Sequence, residues 1–169
     1  MDSNSELNKP NYINNMWLGN CFACSSTNKR GLKMKFFYDK EGISSRLKLH
    51  EDFCGFEGIA HGGIIATILD EIGAWTIFAC LKKLAVTQDS RIKYLKPVYT
   101  NQLLKAEGKI INQNNTIITT HSIIKDDKSN ILAECKNKWL CVSSEALAKI
   151  SNIDIDRINK MVNRALETL

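Results

Sequence analysis

The residue types that could do chemistry concentrate in one stretch, Ile59-Ala60-His61-Gly62-Gly63-Ile64-Ile65-Ala66-Thr67-Ile68-Leu69-Asp70-Glu71. Two glycines at the start of an apolar segment let a ligand approach the backbone closely. If that segment is a helix, its first N–H groups have no internal partner, and with the helix dipole they make a site for negative charge. One such charge is the oxyanion that develops when a carbonyl carbon is attacked. Gly62-Gly63 would equally serve a tight turn from loop to helix. Asp70 and Glu71 then fall in mid-helix, among Ile68, Leu69 and Ile72. A carboxylate there is costly unless it is paired, neutralised or open to a polar cavity. A hydrogen bond to a neighbouring strand would satisfy it, and so would a catalytic task. We assign the functional role to Asp70 and a structural or rim position to Glu71.

Spacing adds a constraint. Gly62 and Asp70 are eight residues apart, roughly 12 Å along a helix that rises about 1.5 Å per residue. An oxyanion donor and an attacking group must both lie about 3 Å from one reacting carbon. One copy of the helix cannot satisfy both. Two antiparallel copies across a two-fold axis can, each giving its N-terminus to one site and its Asp to the other. A site of this kind makes the protein at least a dimer.

The elements that must position these groups follow from periodicity. Gly62 to about Ala79 reads as one helix, apolar on almost every side, and such a helix is buried within its own protein. Before it, residues 33–38 and 43–50 have strand character and are separated by the turn Asp39-Lys40-Glu41-Gly42. Residues 51–60 form a loop containing glycine and aromatic residues. After the helix come four β-branched runs, 86–97, 103–111, 116–125 and 131–142, with turn signals at hairpin distances, so the sheet is expected to be largely antiparallel. From Ser144 the period becomes helical, and Ser151-x-x-Asp154 has the form of a cap for a restart. The expected class is therefore α+β: a curved antiparallel sheet wrapped around one long central helix, the hotdog arrangement, with an extra C-terminal helix. It divides into a polar N-terminal arm (1–20), the hotdog domain (21–143) and a helical extension (144–169).

Composition excludes several alternatives. With 169 residues, 44% hydrophobic and 24% charged, the chain is neither disordered nor collagen-like nor of low complexity. The net charge of +5 suits nucleic acid or an anionic small molecule equally. The aromatics do not interleave with basic residues as an RNA platform requires, so no nucleic-acid partner is expected. Polar residues at the start, without an apolar run, predict a cytoplasmic protein whose six cysteines are reduced. His61, Asp70 and Glu71 interrupt the most apolar stretch, so no membrane span is expected. Cys21-x-x-Cys24 is half of a zinc signature and lacks a second pair, so no metal is expected either. His50 and His121 lie in strand patterns without an evident partner.

His61-Gly62-Gly63, followed by an apolar helix with Asp nine residues after the His, resembles the hotdog acyl-CoA thioesterases of the phenylacetate-degradation (PaaI-like) type. Cys21-Phe22-Ala23-Cys24 with Asn28-x-x-Gly31-Leu32 is similar to that family's C-x-x-C…N-P-x-G-L segment, with Lys29 in place of Pro. Residues 87–97 (TQDSRIKYLKP) are similar to its T-x-x-L-x-I-x-Y-L-R-P strand, with Ser90 in place of Leu. The resemblance spans about residues 20 to 142. It implies that Asp70 activates water or attacks the thioester carbonyl directly, and that the Gly62 N–H, supported by Gly63, holds the oxyanion. It further implies that His61 orients the loop or faces substrate, and that Thr87 helps hold the water. Arg91, Lys93 and Lys96, with Asn28 and the Lys82-Lys83 pair, are candidates to meet substrate and coenzyme A phosphates. No cofactor is expected, since coenzyme A is part of the substrate. The implied function is hydrolysis of an acyl- or aryl-CoA by a homodimer or a tetramer built from dimers, with active sites at the dimer interface. A hydratase or dehydratase with His61 as base, and a non-catalytic acyl-CoA binding module, are the alternatives.

Overall fold

A helix that is apolar on almost every side needs cover on most of them, and the structure supplies it. The structure is a computed structural model that describes residues 11–13, 19–39 and 42–169. The strands are β1 (Asn11–Tyr12), β2 (Phe37–Asp39), β3 (Gly42–Lys48), β4 (Cys54–Phe56) and β5 (Ile59–Ala60), followed by β6 (Leu84–Tyr94), β7 (Leu103–Gln113), β8 (Ile117–Lys125) and β9 (Ile131–Val142). The helices are α1 (Gly62–Leu81), α2 (Ser144–Ser151) and α3 (Ile155–Leu166). Seven strands form one antiparallel sheet in the order β1-β2-β3-β7-β8-β9-β6, and β4 and β5 form a separate small hairpin. α1 packs against β3, β6, β7, β8 and β9. This is the expected hotdog arrangement.

Two close approaches seat the helix on the sheet. A Cβ on Gly108 of β7 would overlap the Thr76 hydroxyl and lie 3.1 Å from the Ile72 carbonyl oxygen. A Cβ on Gly73 of α1 would lie 2.7 Å from Cζ2 of Trp139 and 2.9 Å from the Thr120 hydroxyl. Both neighbours of Gly73 are fixed, because the Trp139 indole N–H donates to Thr120 at 2.8 Å in the buried core. Gly73→Ala sets two effects against each other. Alanine favours a helix over glycine by about 1 kcal/mol, while overpacking a rigid core costs about 1–3 kcal/mol. The clash prevails by up to about 2 kcal/mol, and thermal melting should show Tm lowered by up to about 8 °C at roughly 2–4 °C per kcal/mol. A raised Tm would mean that the sheet yields at this point.

Residues 19–36 cover the far side of α1. Phe36 is fully buried and stacks on Trp75, with ring centroids 4.9 Å apart and planes 20° from parallel; such a pair adds about 0.5–1.5 kcal/mol beyond its buried area. The expected strand over 33–38 joins the ladder only at Phe37. Upstream, the Leu32 and Met34 amides donate instead to the Phe22 and Ala23 carbonyls at 2.8 and 2.9 Å. The arm also reaches further into the fold than its polarity predicts: Asn11–Tyr12 pairs with β2 and Ile13 is fully buried.

Three further expectations are corrected. β6 and β7 are not hairpin neighbours; β6 pairs with β9, and β7 lies between β3 and β8. Residues 95–102 therefore cross between distant strands, held by Ala60 N–H to Val98 O (2.8 Å), Thr100 N–H to Gly58 O (3.0 Å) and Asn101 N–H to Leu49 O (2.8 Å). The loop 51–60 contains a 3-10 turn, Glu51–Phe53, and the β4-β5 hairpin. The C-terminal extension is two helices: Asn152 ends α2 in the left-handed region, and Asp154 caps α3 by accepting from the Asp156 and Arg157 amides. Ser151 takes no part in that cap; its hydroxyl donates to the Leu147 carbonyl. By length and composition α1 could cross a membrane, with a mean hydropathy of 1.7, but most of its apolar side chains are buried under the sheet and the residues 19–36 that cover it.

Candidate functional site

His61 has an extended backbone (φ −63°, ψ 136°) and caps α1, its Nδ1 accepting the Gly63 N–H at 2.9 Å. That bond requires an unprotonated Nδ1, so the neutral ring carries its proton on Nε2. It also commits the Gly63 amide. The Gly62 N–H has no partner among the described residues, and no acidic residue occupies the first turn. One outward donor at a helix N-terminus is what remains for an anion.

α1 is most deeply buried from Ile72 to Ala79, where Ala74 alone is partly open. Its first half leaves Gly63 exposed and Ala66, Thr67 and Asp70 partly open along one side. β6 lies beside this open side. A bulge at Gln88 shifts the β6–β9 register between Thr87 and Asp89, so Thr87 and Ser90 oppose buried Trp139 and Asn137 and both face α1. The Thr87 hydroxyl donates to Oδ1 of Asp70 at 2.8 Å. Further along β6, the Tyr94 hydroxyl donates to the Gly62 carbonyl at 3.2 Å, and its ring lies against Gly62. Burial raises the Asp70 pKa above the ordinary aspartate value, and the Thr87 hydrogen bond opposes that shift. The result is a partly desolvated carboxylate with one oxygen anchored, on the open side of the helix that starts at the Gly62 amide.

The basic candidates lie elsewhere. Lys93 pairs with Glu134 at 3.0 Å on the outer face of the sheet, and Arg91 shares that alternation opposite exposed Lys136. Lys96 reaches Asn130 at 3.5 Å, and Lys82 donates to the Ala79 carbonyl at the C-terminus of α1. Asn28 is engaged within its own loop, donating to the Asn20 carbonyl and accepting from the Arg30 amide. The two histidines read as partnerless have partners: His121 contacts Glu134 at 3.1 Å, and His50 accepts from the Asp52 amide. Those partners sit across a strand pair and in a turn, which the strand pattern did not register.

On another side of α1, Glu71 faces the Cys21-x-x-Cys24 turn. Its carboxylate accepts from the Trp75 indole N–H at 3.0 Å, and both of its oxygens lie 3.9 Å from Cys21 Sγ. Burial and the nearby Cys21 raise its pKa to about 7. The Cys24 thiol and the surrounding backbone amides lower Cys21 to about 5, while Cys24 is pushed upward. Sequence reasoning missed this contact and the Tyr94 contact, because nothing local links residue 21 to residue 71 or residue 94 to residue 62.

Comparison with known proteins fits this geometry. Residues 57–133 match the family model of the thioesterase superfamily. A Saccharolobus solfataricus protein provisionally named an esterase is 29% identical over 102 residues, 59% of this chain and 71% of its own. A hypothetical thioesterase of Streptococcus pneumoniae, solved with coenzyme A, superposes with a TM-score of 0.59 at 21% identity, over 63% of this chain and 85% of its own. A Ralstonia eutropha protein described as phenylacetic acid degradation-related gives a TM-score of 0.59 at 16% identity, over 64% and 85% of the two chains.

Proposed function

We propose, from the match of residues 57–133 to the thioesterase superfamily model and from the hotdog fold, that the chain is a member of that superfamily and hydrolyses an acyl- or aryl-CoA thioester to the free acid and coenzyme A. The observation that carries this reading is the Asp70 carboxylate held by Thr87 at 2.8 Å on the open side of α1. A thioester carbonyl needs only an activated nucleophile and oxyanion stabilisation. Asp70 would take a proton from water, or attack the carbonyl carbon itself, while the Gly62 N–H receives the developing oxyanion. The likeness to a coenzyme A complex supports the substrate class.

The site is completed by a second copy. Along one helix Gly62 and Asp70 are too far apart to meet one carbon, and β6 ends the sheet with its outer edge unpaired among the described residues. A long bare edge is a template for another strand. A homodimer, alone or as half of a tetramer, brings Gly62 of one chain to Asp70 of the other.

A hydratase with His61 as base is disfavoured, because the Nδ1 lone pair is spent on Gly63. A non-catalytic acyl-CoA binding module is the second reading, in which the Asp70–Thr87 bond is only structural. Purified protein incubated with a panel of acyl- and aryl-CoA thioesters, with free thiol as the readout, decides between them. Turnover of at least one thioester supports the enzyme. Tight ester binding without thiol release across the panel supports the binding module.

A further inference from the structure

Three groups that are anionic whenever they act as ligands are gathered on the covered side of α1. The donor atoms of Cys21, Cys24 and Glu71 all lie within 4.8 Å of one another. Among the described residues no lysine, arginine or histidine forms an ion pair with Glu71, although Lys83 lines the adjoining cavity. Bringing two thiolates and a carboxylate together without a cation is electrostatically unfavourable, and a bound cation reverses the sign.

From this convergence we infer that Cys21, Cys24 and Glu71 form a binding site for a thiophilic divalent cation of the Zn²⁺ class. Zinc takes Cys sulfur at about 2.3 Å and carboxylate oxygen at about 2.0–2.2 Å, so in a tetrahedron its ligand atoms stand about 3.5–3.8 Å apart. The Cys21 sulfur and the Glu71 oxygens stand 3.9 Å apart already. Closure takes a few tenths of an ångström for that pair and at most about 1 Å for the widest pair of the three donors, which lie within 4.8 Å of one another. On binding, whichever of these groups is still protonated gives its proton to solvent, so that both sulfurs coordinate as thiolates and the carboxylate as the anion.

The surroundings have the character of an outer shell. The Trp75 indole N–H holds one Glu71 oxygen at 3.0 Å and leaves the other uncommitted to it. The Cys24 amide points at the Cys21 sulfur at 3.4 Å, and the Ser25 amide closes the turn on the Cys21 carbonyl at 3.2 Å. Such contacts orient ligands and tune their basicity. A cavity of about 220 Å³, walled by Trp75, Phe78, Lys83 and Leu147, adjoins Cys21 and Glu71 and provides the fourth coordination position. A lone C-x-x-C falls short by ligand count; the carboxylate that raises the count comes from 47 residues beyond Cys24 and is delivered by α1. The cation would clip residues 19–36, which cover α1, to the helix itself.

Cobalt(II) reports such a site optically. The reduced full-length chain, freed of metal by a chelator, is titrated with Co²⁺ and then with Zn²⁺. The expected result is a thiolate-to-cobalt charge-transfer band that saturates at one equivalent and is displaced by one equivalent of Zn²⁺. At 100 times its dissociation constant, Zn²⁺ should raise Tm by about 5–10 °C. The band should vanish in Cys21→Ser and in Cys24→Ser, and persist in a Cys54→Ser/Cys80→Ser double variant. In Glu71→Gln cobalt affinity should fall at least about tenfold. The assignment is overturned by wild-type protein that gives no saturable band, by a band that survives Cys21→Ser, or by unchanged affinity in Glu71→Gln. An intramolecular Cys21–Cys24 disulfide, formed by protein that binds no cobalt when reduced, would overturn it in favour of a redox role.

Discussion

Asp70→Asn is expected to lower kcat for thioester hydrolysis by about two to four orders of magnitude, the usual worth of a positioned general base. Asparagine fits the same space, and its carbonyl oxygen can still accept the Thr87 hydroxyl that now holds Oδ1 at 2.8 Å. What it cannot do is take a proton or attack as a carboxylate. The fold should not suffer. Burial raises the Asp70 pKa in the native state, so the ionised side chain is a net cost to stability above that raised pKa, and the cost is absent below the unfolded value. Near neutral pH the variant therefore loses no stabilising charge, and its Tm should be unchanged or higher. Thiol release and thermal melting on the same preparation separate the two effects. Activity within about tenfold of wild type in a folded Asp70→Asn protein would remove Asp70 from the chemistry. Thr87→Val, which deletes only the anchoring hydroxyl, should fall between the two.

How far this could be read from sequence differs by residue. α1 was legible because an all-round apolar run has one physical solution, burial inside a wrapped sheet, and the conflict of a carboxylate at position 70 with that burial singled out Asp70. The β6–β7 crossover was not legible, since turn signals report where a chain bends and not which strand it pairs with next. Ile13 and Phe36 were read as parts of an arm and a strand because their burial depends on Trp75 and the sheet, far away in the chain. In the tail, the apolar spacing was right in kind, but it does not show that Asn152 stops one helix before Asp154 starts another.

The site divides along the same line. His61 and the glycines act within three residues of each other, so their type and spacing sufficed to find them; that the Gly63 amide goes to the His61 ring and leaves only that of Gly62 needed atomic geometry. Thr87 came from family resemblance alone, and the bulge that turns it toward Asp70 has no signature in TQDSR. Glu71 was read as structural because its own neighbours are apolar. Its meaning comes from Cys21, 50 residues earlier.

If the site is shared between chains, two inactive proteins should restore each other. Gly62→Pro removes the Gly62 N–H while leaving the helix intact, because proline suits the first helical position and the extended His61 backbone suits the residue before it. Space allows it: a Cβ at position 62 meets only the Tyr94 ring, at 3.7 Å. Loss of one oxyanion donor should cost about 10²–10³ in kcat, so Gly62→Pro and Asp70→Asn homodimers are each nearly inactive. In the mixed dimer, one site combines the intact Gly62 of the Asp70→Asn chain with the intact Asp70 of the Gly62→Pro chain, and the other site carries both defects. Unfolding and refolding an equal mixture makes about half the dimers mixed, so activity should recover to about a quarter of wild type under two-fold symmetry. Were Gly62 and Asp70 of the same chain to serve one site, every site in every dimer would carry a defect and no activity would return. Recovery after co-refolding, and its absence when the two folded homodimers are mixed without exchange, would establish both the dimer and the division of labour between the N-terminus of one α1 and the middle of the other.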